Sequence, residues 1–297
     1  MMATNVLVPI DGADQSYGGV AYALETFPDA EFHSLHVLDT EKEWQIFSGP
    51  GQTEHWQEQA ERLATSLHDR AATLAAEYGT SIERETKYGI AHKRIVEYIV
   101  ENDIDHVVLG RHGESPIASP FMGHVTEAVI RRSPVSTTVV PLRADEVRNI
   151  TWPGDVLVPI DGSDPAQGAL EFTASQFEAT VTAIHAIERM EEVDRDRIEG
   201  TYLEEQLEGV IEDAEELLAT ADSWASERGV ELRTSTEYGP AEQAIIEYAT
   251  SEPIDQIIMG SHGRTGLSRL VLGSVAETVA QRSPVPVTIY RELNERA

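Results

Sequence analysis

A repeat constrains this chain more than any other feature of the sequence. The seven letters of Val6–Gly12 recur unchanged as Val156–Gly162, at an offset of 150 residues. The same offset carries Arg132–Val135 onto Arg282–Val285. This period is far too long for a solenoid repeat, so the chain contains two copies of one domain.

The joint between the copies falls in a polar stretch that closes on Trp152-Pro153-Gly154. An apolar share of 41% is enough for two packed cores. The sequence therefore predicts a first domain over residues 1–145, a linker over 146–153 and a second domain over 154–297.

Within each copy, short apolar runs alternate with helical patterns. The predicted strands are 5–10, 31–38, 81–87, 106–109 and 135–140, then 155–160, 180–187, 231–237, 256–259 and 286–290. Such alternation predicts an α/β fold, with a mostly parallel sheet covered by helices on both faces. Ligands bind such sheets beyond the carboxyl ends of strands where strand order reverses, so the loops after the first and fourth strands are candidate sites.

One long amphipathic helix is predicted in each copy, over about 60–78 and 202–227. In the first copy we expect one apolar face to cover the sheet. Its members are Ala60, Leu63, Leu67, Ala71, Leu74 and Tyr78.

The net charge of −30 excludes several classes of partner. With 52 acidic and 22 basic residues, the surface repels nucleic acid and anionic membranes, and we expect neither as a partner. The acidic bias covers both copies and resembles proteins of salt-loving archaea, although an ordinary acidic cytosolic protein is the alternative. No apolar run approaches a membrane span and no signal peptide begins the chain, so we expect a cytoplasmic protein. The lack of cysteine excludes disulfides and thiolate nucleophiles.

A glycine-rich loop follows the fourth strand of the second copy. Its pattern is Gly260-x2-Gly263-x9-Gly273-Ser274, and it leads into a predicted helix. Glycine lets backbone N–H groups approach an anion, and a helix N-terminus adds free donors and a positive dipole end. The loop is therefore a candidate phosphate site.

The spacing G-x2-G-x9-G-[S/T] resembles the ATP-binding signature of the universal stress protein family, as does the stretch Val158–Ser163. The resemblance extends over both copies, so the chain is similar to a tandem member of that family. It implies two Rossmann-like domains of the adenine nucleotide alpha hydrolase-like class, each a five-stranded parallel sheet with helices on both faces. It also implies ATP as the ligand.

The resemblance implies roles for single positions of the second copy. Asp161 would lie by the ribose and phosphates, Pro159 and Ile160 would line the adenine pocket, Ala186 would lie near the backbone that contacts adenine, and Met259-Gly260 would flank base and sugar.

The phosphates would lie along Gly263, Gly273, Ser274 and Val275. We add Arg264 as a local positive charge against the acidic surface.

The first copy departs from this pattern. Asp11, Gly110, Gly113 and Gly123 are retained, but His124 stands where Ser274 is expected. Glu114 and Pro116 replace Arg264 and Gly266, which adds an opposing charge and removes an N–H donor. We therefore expect nucleotide mainly in the second copy.

Simpler roles remain open for these residues. Gly263 and Gly273 could serve only loop packing, and Asp161 could form a turn or cap a helix.

The histidines favour structural roles. His112 and His262 match between copies and suggest loop-orienting hydrogen bonds, while His33, His36 and His185 lack the spacing of metal ligands.

The leading function is ATP-dependent regulation, read by an unidentified client protein. A nucleotide-independent scaffold and a slow ATP hydrolase, with Mg²⁺ held by the phosphates and Asp161, are the alternatives. The sequence carries no P-loop lysine or nucleophile elbow, so efficient catalysis is not expected.

In the related family the fifth strands often pair two chains. Here 135–140 and 285–290 could pair within the chain as a pseudo-dimer, and a further homodimer stays open. Pro286 then fits a strand start or an edge, because proline cannot donate to a central ladder.

Overall fold

The computed structural model describes residues 4–38, 56–112, 122–148, 154–188, 200–263 and 272–292. In the first half the elements are β1 (Asn5–Pro9), α1 (Asp14–Thr26), β2 (Glu31–Leu38), α2 (Trp56–Glu77), β3 (Ile82–Tyr88), α3 (Ala91–Glu101), β4 (His106–Gly110), α4 (His124–Arg132), β5 (Ser136–Val140) and α5 (Ala144–Val147). In the second half they are β6 (Asp155–Pro159), α6 (Asp164–Gln176), β7 (Thr180–Ile187), α7 (Gly200–Arg228), β8 (Leu232–Tyr238), α8 (Ala241–Ser251), β9 (Gln256–Gly260), α9 (Ser274–Arg282) and β10 (Val287–Tyr290).

The strands form one continuous sheet of ten, in the order β3-β2-β1-β4-β5-β10-β9-β6-β7-β8. Each half contributes five parallel strands, and helices pack on both faces, so the predicted α/β fold is confirmed. The halves join where β5 and β10 run antiparallel, with Val139 opposite Val287. The expected pairing of the fifth strands within one chain is therefore present.

Pro286 lies immediately before β10, as expected for a strand start. Its carbonyl oxygen accepts a hydrogen bond from the Ile257 N–H at 2.9 Å. Because β10 begins at the next residue, the lack of an N–H on Pro286 removes no hydrogen bond from the strand.

The antiparallel junction determines where the two candidate sites lie. Within each half, strand order reverses between the first and fourth strands, at β1–β4 and β6–β9. Because β5 and β10 point in opposite directions, the carboxyl edge of one half lies beside the amino edge of the other. The two candidate sites therefore open at opposite edges of the ten-stranded sheet.

A buried polar network crosses the junction. His106 Nε2 lies 2.8 Å from Thr138 Oγ1, which lies 2.7 Å from Thr288 Oγ1, and Gln256 Nε2 donates to Thr288 at 2.8 Å. The members are related by the repeat, His106 with Gln256 and Thr138 with Thr288. Burial lowers the pKa of His106 to about 3, an effect that the Asp105 carboxylate only partly opposes, so this histidine is neutral.

The long helix buries the predicted face only in part: Ala60 and Ala71 are fully buried, and Leu74 and Tyr78 pack partly buried against the core. Leu63 is 41% exposed and Leu67 is half-buried. The residues that face the sheet are Ala60, Ala64, His68, Ala71 and Ala75. Alanine keeps the helix close to the sheet, and the leucines fill its flanks instead.

The first half continues beyond β5. Val147, in α5, is fully buried in the same core as α1 and β1. The domain limits stated above stay a prediction.

Candidate functional site

The carboxyl edge of the second half begins with a turn built by Asp161. Its Oδ1 accepts hydrogen bonds from the Ser163 N–H at 3.0 Å and from the Ser163 hydroxyl at 2.6 Å. Ser163 in turn caps α6 by accepting from the Ala166 N–H at 3.4 Å. Gly162 takes φ 79° between them, a left-handed conformation that favours glycine. The turn-forming role of Asp161 is thus confirmed, while the cap is Ser163.

A histidine fixes the backbone just before this turn. His185 Nδ1 lies 2.7 Å from the Ile160 carbonyl oxygen, and His36 Nδ1 makes the same contact with Ile10 at 2.8 Å. The structural interpretation of both histidines is confirmed, but their place beside the site was missed. The sequence contains a signal for this place, because β2 and β7 are related by an offset of 149 rather than 150 residues. At that offset His36 corresponds to His185.

Gly260 allows α6 to approach the end of β9. A Cβ at this position would lie 2.7 Å from the Pro165 carbonyl carbon and 2.9 Å from the Ala166 nitrogen. Gly110 has the same relation to Gln15 in the first half. These first glycines of the two loops are therefore required by helix packing alone.

Gly263 faces the carboxylate of Asp161. A Cβ on Gly263 would lie 2.5 Å from Asp161 Oδ2, so the loop after β9 and the turn after β6 are in direct contact. The structure thereby brings together two of the predicted site residues from separate strands. A side chain at 263 would displace the end of the Asp161 side chain, whereas at 260 it would meet backbone.

Gly273 is different, because none of the described residues around it would clash with a side chain. Its φ and ψ of −69° and 151° suit any residue, and a Cβ would meet its nearest neighbour, His262 Cα, at 3.4 Å. The Gly273 N–H donates to the Ser261 carbonyl at 2.8 Å, which closes the base of the loop.

Gly273 is also the N-cap of α9, and no side chain among the described residues caps this helix. Ser274 is exposed at the first helical position and Val275 is partly buried behind it. The N–H groups of the first turn and the positive end of the helix dipole are thus available at the loop. Arg264, the predicted compensating charge, lies outside the described residues.

The residues predicted for the adenine pocket lie along β6, β7 and β9. Pro159 and Ala186 are partly buried, with Pro159 paired to Ile184 in the sheet. Ile160 is 7% exposed and Met259 is 5% exposed, and the Met259 side chain belongs to the apolar core. The structure therefore leaves only the backbone of Met259 near the site edge.

A groove of about 590 Å³ lies between α6 and α7, beside Gly162 and Ser163 of the Asp161 turn. Ile160 is the one predicted site residue that lines it, and its wall carries Asp164, Asp213 and Glu216. These carboxylates repel phosphate, so the groove does not extend the phosphate loop.

At the described start of the loop in the first half, a side chain of the same half bonds to His112. Gln15 Oε1 lies 2.9 Å from the His112 N–H and 3.1 Å from His112 Nδ1, and Gln15 Nε2 donates to the Pro141 carbonyl at 2.7 Å. The repeat places Pro165 at the corresponding position, which cannot make these bonds. Asp11 and His124 are exposed nearby, and Gly113, Glu114 and Pro116 lie outside the described residues.

The matched histidines of the two loops make local hydrogen bonds. His262 Nδ1 lies 3.1 Å from Ser261 Oγ, and His112 Nδ1 lies 3.1 Å from Gln15 Oε1. The predicted loop-orienting role is confirmed for both. In the part of the chain that the structure describes, no group of three or more His, Asp or Glu side chains is placed to hold a metal ion, and no helix combines the length and apolarity of a membrane span.

Comparison with known proteins identifies the family. The model of the universal stress protein family matches residues 2–141 and again 154–291. The chain belongs to the universal stress protein family. Both halves of this universal stress protein are covered, which confirms the tandem arrangement inferred from the repeat.

Curated relatives and a solved structure agree with this assignment. Universal stress protein Mb2028c of Mycobacterium bovis is 26% identical over 97% of both chains. Universal stress protein MJ0531 of Methanocaldococcus jannaschii is 34% identical over 46% of this chain and 81% of its own. The crystal structure of a universal stress protein from Archaeoglobus fulgidus covers 98% of this chain and 97% of its own at a TM-score of 0.67 and 22% identity, a likeness that shows the fold.

Proposed function

We propose that this universal stress protein binds ATP at the carboxyl edge of its second half and that nucleotide occupancy is read by a protein partner. The observation that carries the proposal is Gly273. Packing against backbone explains Gly260, whereas Gly273 has a conformation that any residue adopts and, among the described residues, no neighbour closer than 3.4 Å to a Cβ. Glycine is an ordinary N-cap residue, and at position 273 it would also let a phosphate approach the start of α9 closely.

The phosphates would lie against the first-turn N–H groups of α9 and the Ser274 hydroxyl, with Arg264 adding positive charge. The adenosine would extend toward Asp161, Pro159, Ile160 and Ala186. The Asp161 carboxylate is committed to Ser163 through Oδ1 and faces Gly263 through Oδ2. Any Mg²⁺ would therefore be held mainly by the phosphates, with one protein carboxylate within reach.

The first half supports the proposed asymmetry. Gln15 occupies the His112 N–H, one of the loop donors, and His124 replaces Ser274 at the start of α4. We expect one nucleotide per chain.

Isothermal titration with ATP on wild type and Gly273→Val tests the proposal. Valine suits the backbone conformation at 273 but blocks phosphate approach, so affinity should fall at least tenfold, about 1.4 kcal/mol. Gly123→Val changes the matching N-cap of α4, at φ −61° and ψ 138°, and should leave ATP affinity unchanged.

Other outcomes would contradict specific parts of the proposal. Wild type that binds no adenine nucleotide would favour a nucleotide-independent scaffold. Two ATP per chain with similar affinity would remove the asymmetry. Turnover above background that disappears in Asp161→Ala would favour a hydrolase.

A further inference from the structure

Helix α9, which begins at the candidate phosphate site, is held at its far end by the first half of the chain. The Arg111 guanidinium donates to the Ser283 carbonyl at 2.7 Å and approaches the Gln281 carbonyl at 3.5 Å. Gln281 lies in the last turn of α9 and Ser283 is its C-cap; the helix has nine residues and is therefore about 13 Å long. A guanidinium here satisfies free acceptors and complements the negative end of the helix dipole.

The first turn of α9 is held from the same side. Arg131 of α4 pairs with Glu277 across the junction and also with Glu127 of its own helix at 3.3 Å. Gln281 is the residue that corresponds to Arg131 in the repeat, so the second half has no equivalent arginine. Without Arg131, the Glu277 carboxylate in the first turn would oppose an anion at the N-terminus of α9.

A second arginine makes a similar contact on the other side of the junction. Arg291 donates to the Ser133 carbonyl and, at 2.8 Å, to the Ile130 carbonyl at the end of α4. Ser133 and Ser283 correspond in the repeat, but the arginines do not, since Arg111 matches Ser261 and Arg291 matches Pro141. Arg111 follows the carboxyl end of β4, and Arg291 follows the carboxyl end of β10. Because the junction is antiparallel, each of these strand ends lies beside the end of a helix from the other half.

We propose that Arg111 is a positioning residue for the nucleotide site of the second half, acting through α9, and that the altered first half supports the intact site. This rests on the proposed function. Arg111 continues β4 directly and so belongs to the rigid sheet. It fixes the end of a short helix whose other end would bind phosphate.

The test compares Arg111→Ala and Arg111→Lys with the matched control Arg291→Ala. Both alanine variants remove a guanidinium from helix-end carbonyls at the junction and should lower the melting temperature. Only Arg111→Ala should weaken ATP binding in isothermal titration, by about five- to tenfold. Arg111→Lys, which keeps the charge near the end of α9, should restore most of the affinity.

Hydrogen–deuterium exchange without nucleotide supplies an independent readout. Arg111→Ala should speed amide exchange in α9, and Arg291→Ala should speed it in α4. If wild type binds no ATP, the proposed function fails, whereas the exchange pattern still decides whether Arg111 holds α9. ATP affinity equal to wild type in Arg111→Ala, an equal loss in Arg291→Ala, or exchange that rises equally in both helices would overturn the inference.

Discussion

At the scale of single residues, the two halves contribute different side chains to the buried polar network at the junction. His106 and Gln256 occupy matching positions on β4 and β9 and contact Thr138 and Thr288. Rings on both sides bury the imidazole, with Phe27 at 4.8 Å and Phe172 stacked nearly parallel at 6.3 Å between centroids. Buried polar pairs that are satisfied only in one register favour that register over others.

His106 makes stability depend on pH in a defined direction. Its pKa is about 3 in the folded chain and about 6.5 when unfolded. Between these values the unfolded state binds more protons, so stability is full above pH 6.5 and falls as pH decreases. The expected slope from this one group is about 1.4 kcal/mol per pH unit.

The variant His106→Gln copies the second half and removes the titration. Denaturant unfolding at several pH values between 7 and 4 should show a shallower loss of stability for the variant than for wild type. The carboxylates titrate equally in both proteins, so the difference between the two slopes is the contribution of His106. Identical slopes would contradict a buried neutral histidine.

At the scale of elements, the long helices show how packing sets a helical face. The predicted face of α2 was wrong at Leu63, which is exposed, because hydrophobicity alone ranks leucine above alanine. The structure buries Ala64, Ala71 and Ala75, and in α7 the matching Ala214, Ala221 and Ala225. His68 is also buried and lies 2.8 Å from Ser34 Oγ, which aligns α2 over β2.

Substitutions on the two faces of α2 should therefore differ. Ala64→Leu forces a larger side chain between helix and sheet and should cost about 1–3 kcal/mol. Leu63→Ala, on an exposed position, should cost under about 1 kcal/mol. Denaturant unfolding of both variants checks this. A larger loss of unfolding free energy for Leu63→Ala than for Ala64→Leu would indicate that Leu63 is on the buried face.

At the scale of the whole molecule, the antiparallel junction uses the fifth strands inside the chain. The sheet therefore ends at β3 and β8. Both edge strands carry charges on exposed or half-exposed positions, including Glu83 and Arg233. Charged edges of this kind oppose further strand pairing.

The net charge of −30 should make stability depend on salt. Repulsion among carboxylates weakens as the Debye length falls from about 10 Å at 0.1 M to about 3 Å at 1 M. The melting temperature should therefore rise with KCl, most steeply below 1 M. Sucrose at equal osmolality controls for exclusion effects, and a melting temperature that stays constant or falls in KCl would contradict the halophilic interpretation.

The sequence by itself determined the duplication, the order of strands and helices, the parallel α/β fold and the glycine loop that identifies the family. These features follow from local periodicity and from identical letters at fixed spacing. The tertiary structure alone decided which positions of α2 face the sheet, which glycines packing requires, and that Gln15 bonds to His112 at the start of the loop in the first half. It also placed Arg111 at the end of α9. The first three are contacts within one half between elements that only the folded sheet brings together, whereas the contact of Arg111 with α9 joins residues 172 positions apart and depends on the antiparallel meeting of β5 and β10, which no local pattern encodes.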